Sequence, residues 1–213
     1  MQLPRVILYQ GQKEYVTRVG SLERKLPIVQ VSEGLWIASI GEIVLGDIDF
    51  VEEAGKLLAK KIKEQCDPEV LIAPEAKAFP LAHVIARELG HKFFAAARKG
   101  VKGYMSGYIS IEVQSITTAE KQRLVLDDID VLRIKGKKVC LLDDIVSTGG
   151  TMKSLQTITE KAGGIPICKA AIWLEGPWWN EKDLIYLTEL PVFMSNELYE
   201  KSLKNLASIQ FAI

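Results

Sequence analysis

The chain has 213 residues, 48% of them hydrophobic and 25% charged, with 27 Lys and Arg balanced by 27 Asp and Glu. That is enough chain for one sizeable α/β domain, or a domain with an appendage, and the composition is that of a globular protein. A protein built mainly to grip nucleic acid is basic, so a net charge of zero argues against that class and leaves only local basic patches.

The N-terminal run MQLPRVILYQGQKEYV is too short in apolar residues, and too interrupted by charge, to read as a signal peptide. No stretch approaches the ~18 consecutive apolar residues of a membrane span. Cytoplasm is the expected compartment. Cys66, Cys140 and Cys168 are odd in number and widely spaced, so neither a CxxC site nor a disulfide framework is expected. Cys140 reads as a small core residue. His83 and His91 lack metal-ligand spacing and read as surface or internally satisfied side chains.

Residues 1–46 look β-rich and irregular, with short strands expected at Val6–Tyr9, Ile28–Val31 and Leu35–Ala38, broken by Gly20, Gly34 and Gly41. Asp47 or Asp49 can cap a helix reaching Gln65. Val51, Ala54, Leu57, Leu58 and Ile62 share one face of it, and Lys56, Lys60, Lys61 and Lys63 lie largely on the other. Val70–Ala73 is a short apolar strand, Phe79–Leu89 a helix closed by Gly90, and Phe93–Ala97 the next strand.

Residues 99–125 break this alternation. Three glycines, hydroxyl residues and weak alternation over Tyr108–Val113 suggest a long excursion, a two-stranded arm made with Gln122–Leu126. Asp127, Asp128 and Asp130 follow and read as a solvated turn. Val139–Leu142 is a strand, Met152 to Ala162 a helix, and Cys168–Leu174 another strand begun near Pro166. The tail 183–213 is mixed. Short apolar strands alternating with helices imply an α/β fold with a mostly parallel central sheet flanked by helices.

The chemistry concentrates in Lys138–Thr151, KVCLLDDIVSTGGT. An apolar strand ends in Asp143 and Asp144. Val146 then leads into Ser147-Thr148-Gly149-Gly150-Thr151 and a helix. Consecutive N–H groups, two glycines that allow close approach and a helix N-terminus make a nest for phosphate. Paired acids at a strand end can also be turn residues or a Walker-B strand. The latter requires a GxxxxGK[ST] loop, which the chain lacks.

This motif resembles the phosphoribosyl pyrophosphate (PRPP) site of the type I phosphoribosyltransferases. The resemblance implies that Asp143 and Asp144 hold the ribose hydroxyls and that Val146, Ser147, Thr148, Gly149, Gly150 and Thr151 hold the 5′-phosphate. Glu75-Ala76-Lys77-Ala78 resembles the family's pyrophosphate loop, and Arg98, Lys99 and Lys102 its strand-exit and flexible-loop cations. Lys99 and Lys102 would then act with the acid pair in catalysis, since cations stabilise a leaving pyrophosphate.

The segments EAKAFPLA, ARK and IEVQSITT look most like the adenine and xanthine branch. In that branch the two ends of the chain form a hood. The implied organisation is one domain over 1–213, with its core at about 47–175, hood or oligomer segments at 1–46 and 176–213, and a flexible β-arm. Tyr104, Tyr108 and Glu112 are loose candidates for the arm's catalytic glutamate and tyrosine.

The implied reaction is transfer of phosphoribosyl from PRPP to a purine base in salvage, with Mg2+ as cofactor. The metal would be held mostly by substrate and water oxygens, with Asp143 or Asp144 reaching it through water. A homodimer, with no nucleic acid or membrane partner, completes the expectation. Trp173, Glu175 and Trp178, with Trp179, are candidates to floor the base pocket, or else pack in the core or at an interface. Arg18, Arg24 and Lys25 would join a hood or dimer contact. The alternatives are a PRPP-binding regulator of the same fold, or a transferase for a pyrimidine such as orotate. The first 45 residues look too short and too β-like for a helix-turn-helix domain, and the cation set favours catalysis.

Overall fold

The structure is a computed structural model and describes residues 2–113 and 122–210. The chain forms β1 (Val6–Leu8), β2 (Glu14–Val19), β3 (Leu22–Ser32), β4 (Leu35–Ala38), α1 (Gly41–Gly46) and α2 (Ile48–Gln65). Then come β5 (Val70–Pro74), α3 (Ala78–Glu88), β6 (Ala95–Ala97), β7 (Tyr108–Val113), β8 (Gln122–Asp127) and α4 (Asp128–Ile134). The last part is β9 (Lys138–Leu142), β10 (Ile145–Val146), α5 (Gly150–Lys161), β11 (Ile165–Glu175), β12 (Leu184–Leu190), β13 (Val192–Met194) and α6 (Asn196–Gln210).

A parallel sheet with the order β10-β11-β9-β5-β6, and β12 also on β11, forms the centre. Its strands are apolar on both faces because both faces are covered. In β5 and β9, Leu71, Ala73, Cys140 and Leu142 face the α2–α3 side. The alternate residues Val70, Ile72, Val139 and Leu141 face the side holding Met152, Leu155 and Ile158 of α5. Helices α2 and α3 approach closely at Gly55, where any added Cβ would overlap Val84 Cγ1. From β5 the chain goes on to β6 at one edge, and from β9 it goes on to β11 on the other side. The crevice between the carboxyl ends of β5 and β9 is therefore the topological switch point, where open α/β sheets bind ligands.

The second sheet, β1-β13-β4-β3-β2, is built from both ends of the chain. Strand β13 runs parallel to β1 and antiparallel to β4, and so seals the N-terminal hairpins. The hood is tied to the core by Arg24 of β3, whose Nη2 donates to Asp47 Oδ1 at 3.1 Å. The same carboxylate caps α2 by accepting from Phe50 N at 3.0 Å. The Arg24 guanidinium bonded to it holds the Asp47 carboxyl below its usual range, against the opposing effect of burial.

Three expectations are corrected. The N-terminal region has a strand, β2, that alternation did not reveal, and β3 runs through Pro27. Asp127 and Asp130 are not a solvated turn. Asp127 caps α4 by accepting from Ile129 N, and Asp130 is buried, accepting from Ala96 N at 3.2 Å and Arg133 Nη1 at 2.7 Å. Cys66 and Cys168 are joined by a disulfide with 6.3 Å between Cα atoms, clipping the end of α2 to β11 across 102 residues of sequence. Cys140 is free and buried, as expected, and burial pushes its thiol well up. The arm is present as the antiparallel pair β7–β8. Among the described residues no helix is long and apolar enough to cross a membrane.

Candidate active site

Strand β9 delivers Asp143 and Asp144 to the switch point, where they are 7% and 5% exposed. Their backbone locks them to β11: Asp143 N donates to Ala170 O at 3.0 Å, and Asp144 O accepts from Ile172 N at 3.1 Å. Asp144 N donates to Asp143 Oδ1 at 2.9 Å, while Asp144 Oδ2 is buried with no hydrogen-bond partner. Burial drives the Asp143 carboxyl well above its usual range, the neighbouring Asp144 adds to this, and Lys77 opposes it. A buried acid pair with an unpartnered oxygen is suited to receive hydroxyl donors or a cation.

The turn after the acids carries Ser147, Thr148, Gly149, Gly150 and Thr151. Val146 points inward, 2% exposed, and its strand β10 pairs with Leu174. Gly149 has φ +79 and stands at the N-cap of α5. Its Cα faces the Trp179 ring so closely that a Cβ there would overlap Trp179 Cζ3 and Cε3. Both the left-handed backbone and the aromatic floor demand glycine. The result is a nest of N–H groups at a helix N-terminus.

Opposite, β5 ends in Pro74 and the loop Glu75-Ala76-Lys77-Ala78, with the Glu75–Ala76 peptide cis. Glu75 Oε2 accepts from Lys99 N at 3.1 Å, and its Oε1 lies 3.3 Å from Lys102 Nζ and 3.7 Å from Arg98 Nη1. Burial raises the Glu75 carboxyl, but these donors outweigh it and hold the group below its usual range. A cavity of about 450 Å³ runs between the two loops. It is lined by Pro74 to Ala78, Lys99, Arg123, Leu124, Asp143 to Met152 and Ser154.

Most of the residues singled out from sequence therefore share one cleft. Arg98 and Lys102 do not line it; they turn to Glu75. Trp173 is not a base-pocket residue. It is fully buried, stacked on Phe50 at 5.6 Å, with its indole N–H donating to Thr17 Oγ1 at 2.9 Å. Glu175 sits behind the turn, 8% exposed, and does not line the cleft. Burial pushes its carboxyl up to about 7, with Asp144 adding to this and a bond from the Ser147 hydroxyl opposing it. Trp178 is 40% exposed, whereas Trp179 is buried beneath Gly149.

On the arm, Tyr104 and Tyr108 are exposed and lie under Arg98 and Arg123, respectively. Glu112 stands opposite Arg123 in the ladder. Arg18 and Lys25 pair with Glu23 and Glu14 within the hood hairpin, and Arg24 with Asp47. Sequence reasoning missed Arg123 as a cleft residue. The available signal was its position at the start of the arm's return strand.

A family model, Phosphoribosyl transferase domain, matches residues 47–172, which is more than half of the chain. Adenine phosphoribosyltransferase of Thermosipho africanus is 29% identical over 143 residues, covering 67% of this chain and 79% of that one. The enzyme of the same name from Petrotoga mobilis is 32% identical over 130 residues, covering 60% and 71%. Among solved structures, adenine phosphoribosyltransferase from Thermoanaerobacter pseudethanolicus superposes with a TM-score of 0.64 at 23% identity, over 77% of this chain and 95% of that one. The Giardia lamblia enzyme complexed with 9-deazaadenine gives 0.60 at 17% identity, over 77% and 93%. At these identities the structural likeness speaks for the fold, and the family match, whose span includes the acid pair and the glycine turn, speaks for descent: the chain belongs to the phosphoribosyl transferase domain family.

Proposed function

We propose that this protein transfers the 5-phosphoribosyl group of PRPP to a purine base, giving a nucleoside monophosphate and pyrophosphate. The observation that carries this is the pairing, in one cleft, of a buried acid pair and N–H nest with a separate loop of cations. The names of the relatives make adenine the first base to test. Asp143 and Asp144 accept hydrogen bonds from the ribose hydroxyls. The N–H groups and hydroxyls of Ser147 to Thr151 hold the 5′-phosphate. Lys77 and Lys99 meet the pyrophosphate, while Glu75 fixes the backbone of Lys99 and the side chain of Lys102.

A ring nitrogen of the base attacks C1′ as the C1′–O bond breaks and its electron pair leaves with pyrophosphate, through an oxocarbenium-like transition state. The buried carboxylates lie where positive charge grows on the ribose. No side chain need form a covalent intermediate. The donor set fits magnesium, since Asp144 Oδ2 is an unpartnered buried oxygen. Asp143 or Asp144 would hold it through water, the substrate supplying most of its oxygens. Bound there, it would neutralise charge on the leaving group.

The working unit in this reading is a homodimer. Its support is the exposed apolar side chains Leu45 and Ile48 near the start of α2 and Ile129 and Leu132 on α4. Sedimentation velocity tests it. The reaction is tested by pyrophosphate release from magnesium PRPP with adenine, guanine, hypoxanthine, xanthine, uracil and orotate. Turnover with a purine supports the reading. Tight PRPP binding with no turnover on any base makes the protein a regulator instead.

A further inference from the structure

Strand β8 reaches the carboxyl edge of the sheet from the far side. Arg98 N donates to Val125 O and Val125 N to Arg98 O, both at 2.8 Å, so β8 runs antiparallel to the exit of β6. That register sets Arg123 beside the segment just after Lys99, and both residues line the cleft. In sheet order the acid pair follows β9, the Glu75 loop follows β5, Lys99 follows β6, and Arg123 comes next, while the nest follows β10 beyond β11. Arg123 thus stands on the cation-loop side of the cleft, separated from β9 by β5 and β6, with β10 and its phosphate turn farther still.

The Arg123 guanidinium is held in place. Its Nη2 donates to Ser110 Oγ at 2.8 Å, and it lies 5.6 Å from the centre of the Tyr108 ring. Ser110 is itself tied to α5, its carbonyl accepting from Lys161 Nζ at 3.1 Å. The bond to Ser110 uses one of five guanidinium N–H groups, whose fork matches a phosphate oxygen pair. The cleft wall carries Lys77, Lys99 and Arg123 against Glu75, Asp143 and Asp144. With Arg98 and Lys102 turned to Glu75, removal of Arg123 leaves Lys77 and Lys99 as the cations lining the cleft where a polyanion must bind.

We propose that Arg123 binds the diphosphate end of the donor, as a cation supplied by the arm's return strand. The inference rests on the donor reading above. It is tested by titration calorimetry of wild type, Arg123→Gln and Arg123→Lys with magnesium pyrophosphate and, separately, with ribose 5-phosphate. Loss of one charge-assisted hydrogen bond predicts about a tenfold weaker pyrophosphate affinity in Arg123→Gln, with partial recovery in Arg123→Lys. Ribose 5-phosphate affinity should stay within about twofold, because its phosphate sits in the nest. Unchanged pyrophosphate affinity in Arg123→Gln overturns the assignment. So does a parallel loss of both ligands, which would mean that the side chain only braces the arm. A wild-type protein that binds neither ligand overturns the donor reading and, with it, this assignment.

Discussion

Replacing Gly149 by alanine tests the nest at its tightest point. The residue has φ +79, and an added Cβ would overlap the Trp179 ring. Holding alanine in the left-handed region costs about 1–2 kcal/mol. Forcing a methyl into a packed contact costs about 1–3 kcal/mol more. Together they predict a loss of about 2–5 kcal/mol, which at roughly 2–4 °C per kcal/mol for a chain of this size lowers Tm by about 4–20 °C. The same shift turns the N–H groups of the turn away from the phosphate, so KM for PRPP should rise more than kcat falls. Differential scanning fluorimetry and steady-state kinetics measure both effects. A double-mutant cycle separates the two costs: Trp179→Leu in the Gly149→Ala background should recover the overlap part and leave the backbone part. A Gly149→Ala protein that melts within a degree of wild type with an unchanged KM would falsify the reasoning.

Four further outcomes follow from the same geometry. Asp143→Asn with Asp144→Asn should abolish ribose 5-phosphate binding by calorimetry, and retained binding would remove the ribose assignment. The Glu175 carboxyl, raised from 4.5 to about 7 by burial, keeps its proton in the folded state at pH values where the unfolded chain has lost it. Its contribution is therefore present below pH 4.5 and lost as pH rises through about 7. A shift of about 2.5 units corresponds to at most ~3 kcal/mol, and urea unfolding of Glu175→Gln beside wild type should show the difference between pH 5 and 8. Asp47→Ala removes the cap of α2, worth about 1 kcal/mol, together with the Arg24 contact, and should lower Tm by at least ~2 °C. Reduction of Cys66–Cys168 opens a long loop worth up to about 4–5 kcal/mol in the chain-entropy picture, so dithiothreitol should lower Tm, and a Cys66→Ser variant should not respond to it.

Strands β5, β6, β9 and β11 of the central sheet were legible because each is a local event, whereas β10 and β12 were not read as strands. Val70–Ala73 and Val139–Leu142 are uninterrupted apolar runs bounded by turn residues, and Asp47 announces a helix that an apolar stripe continues. The acid pair and glycine turn were legible for the same reason, as strand, turn and helix N-terminus are contiguous. What sequence could not supply depended on distant partners. Strand β2 alternates weakly, with Val16 and Val19 separated by Thr17 and Arg18, and is set by pairing with β3. Trp173 looked like a stacking platform, but Phe50 and Thr17, far away in sequence, make it interior. Asp130 looked solvated until β6 supplied Ala96 N. Arg98 and Lys102 matched a family pattern, yet Glu75 claims both. The notion that the cysteines were unconnected failed because α2 and β11 bring together two positions 102 residues apart.

Strand β13 lies between β1 and β4, so β4 is paired on one side only, and β1 is cut off from the rest of the sheet, until Val192–Met194 has been synthesised. In the central sheet only β12, which adds to β11, comes later; β5, β6, β9, β10 and β11 are complete by Glu175. The chain should therefore mature in two stages on the ribosome: a core that can close early and a hood whose contacts are among the longest-range in the molecule and form last. Any nascent chain stalled before Val192 would leave the edge of β4 open, a template for pairing with another copy.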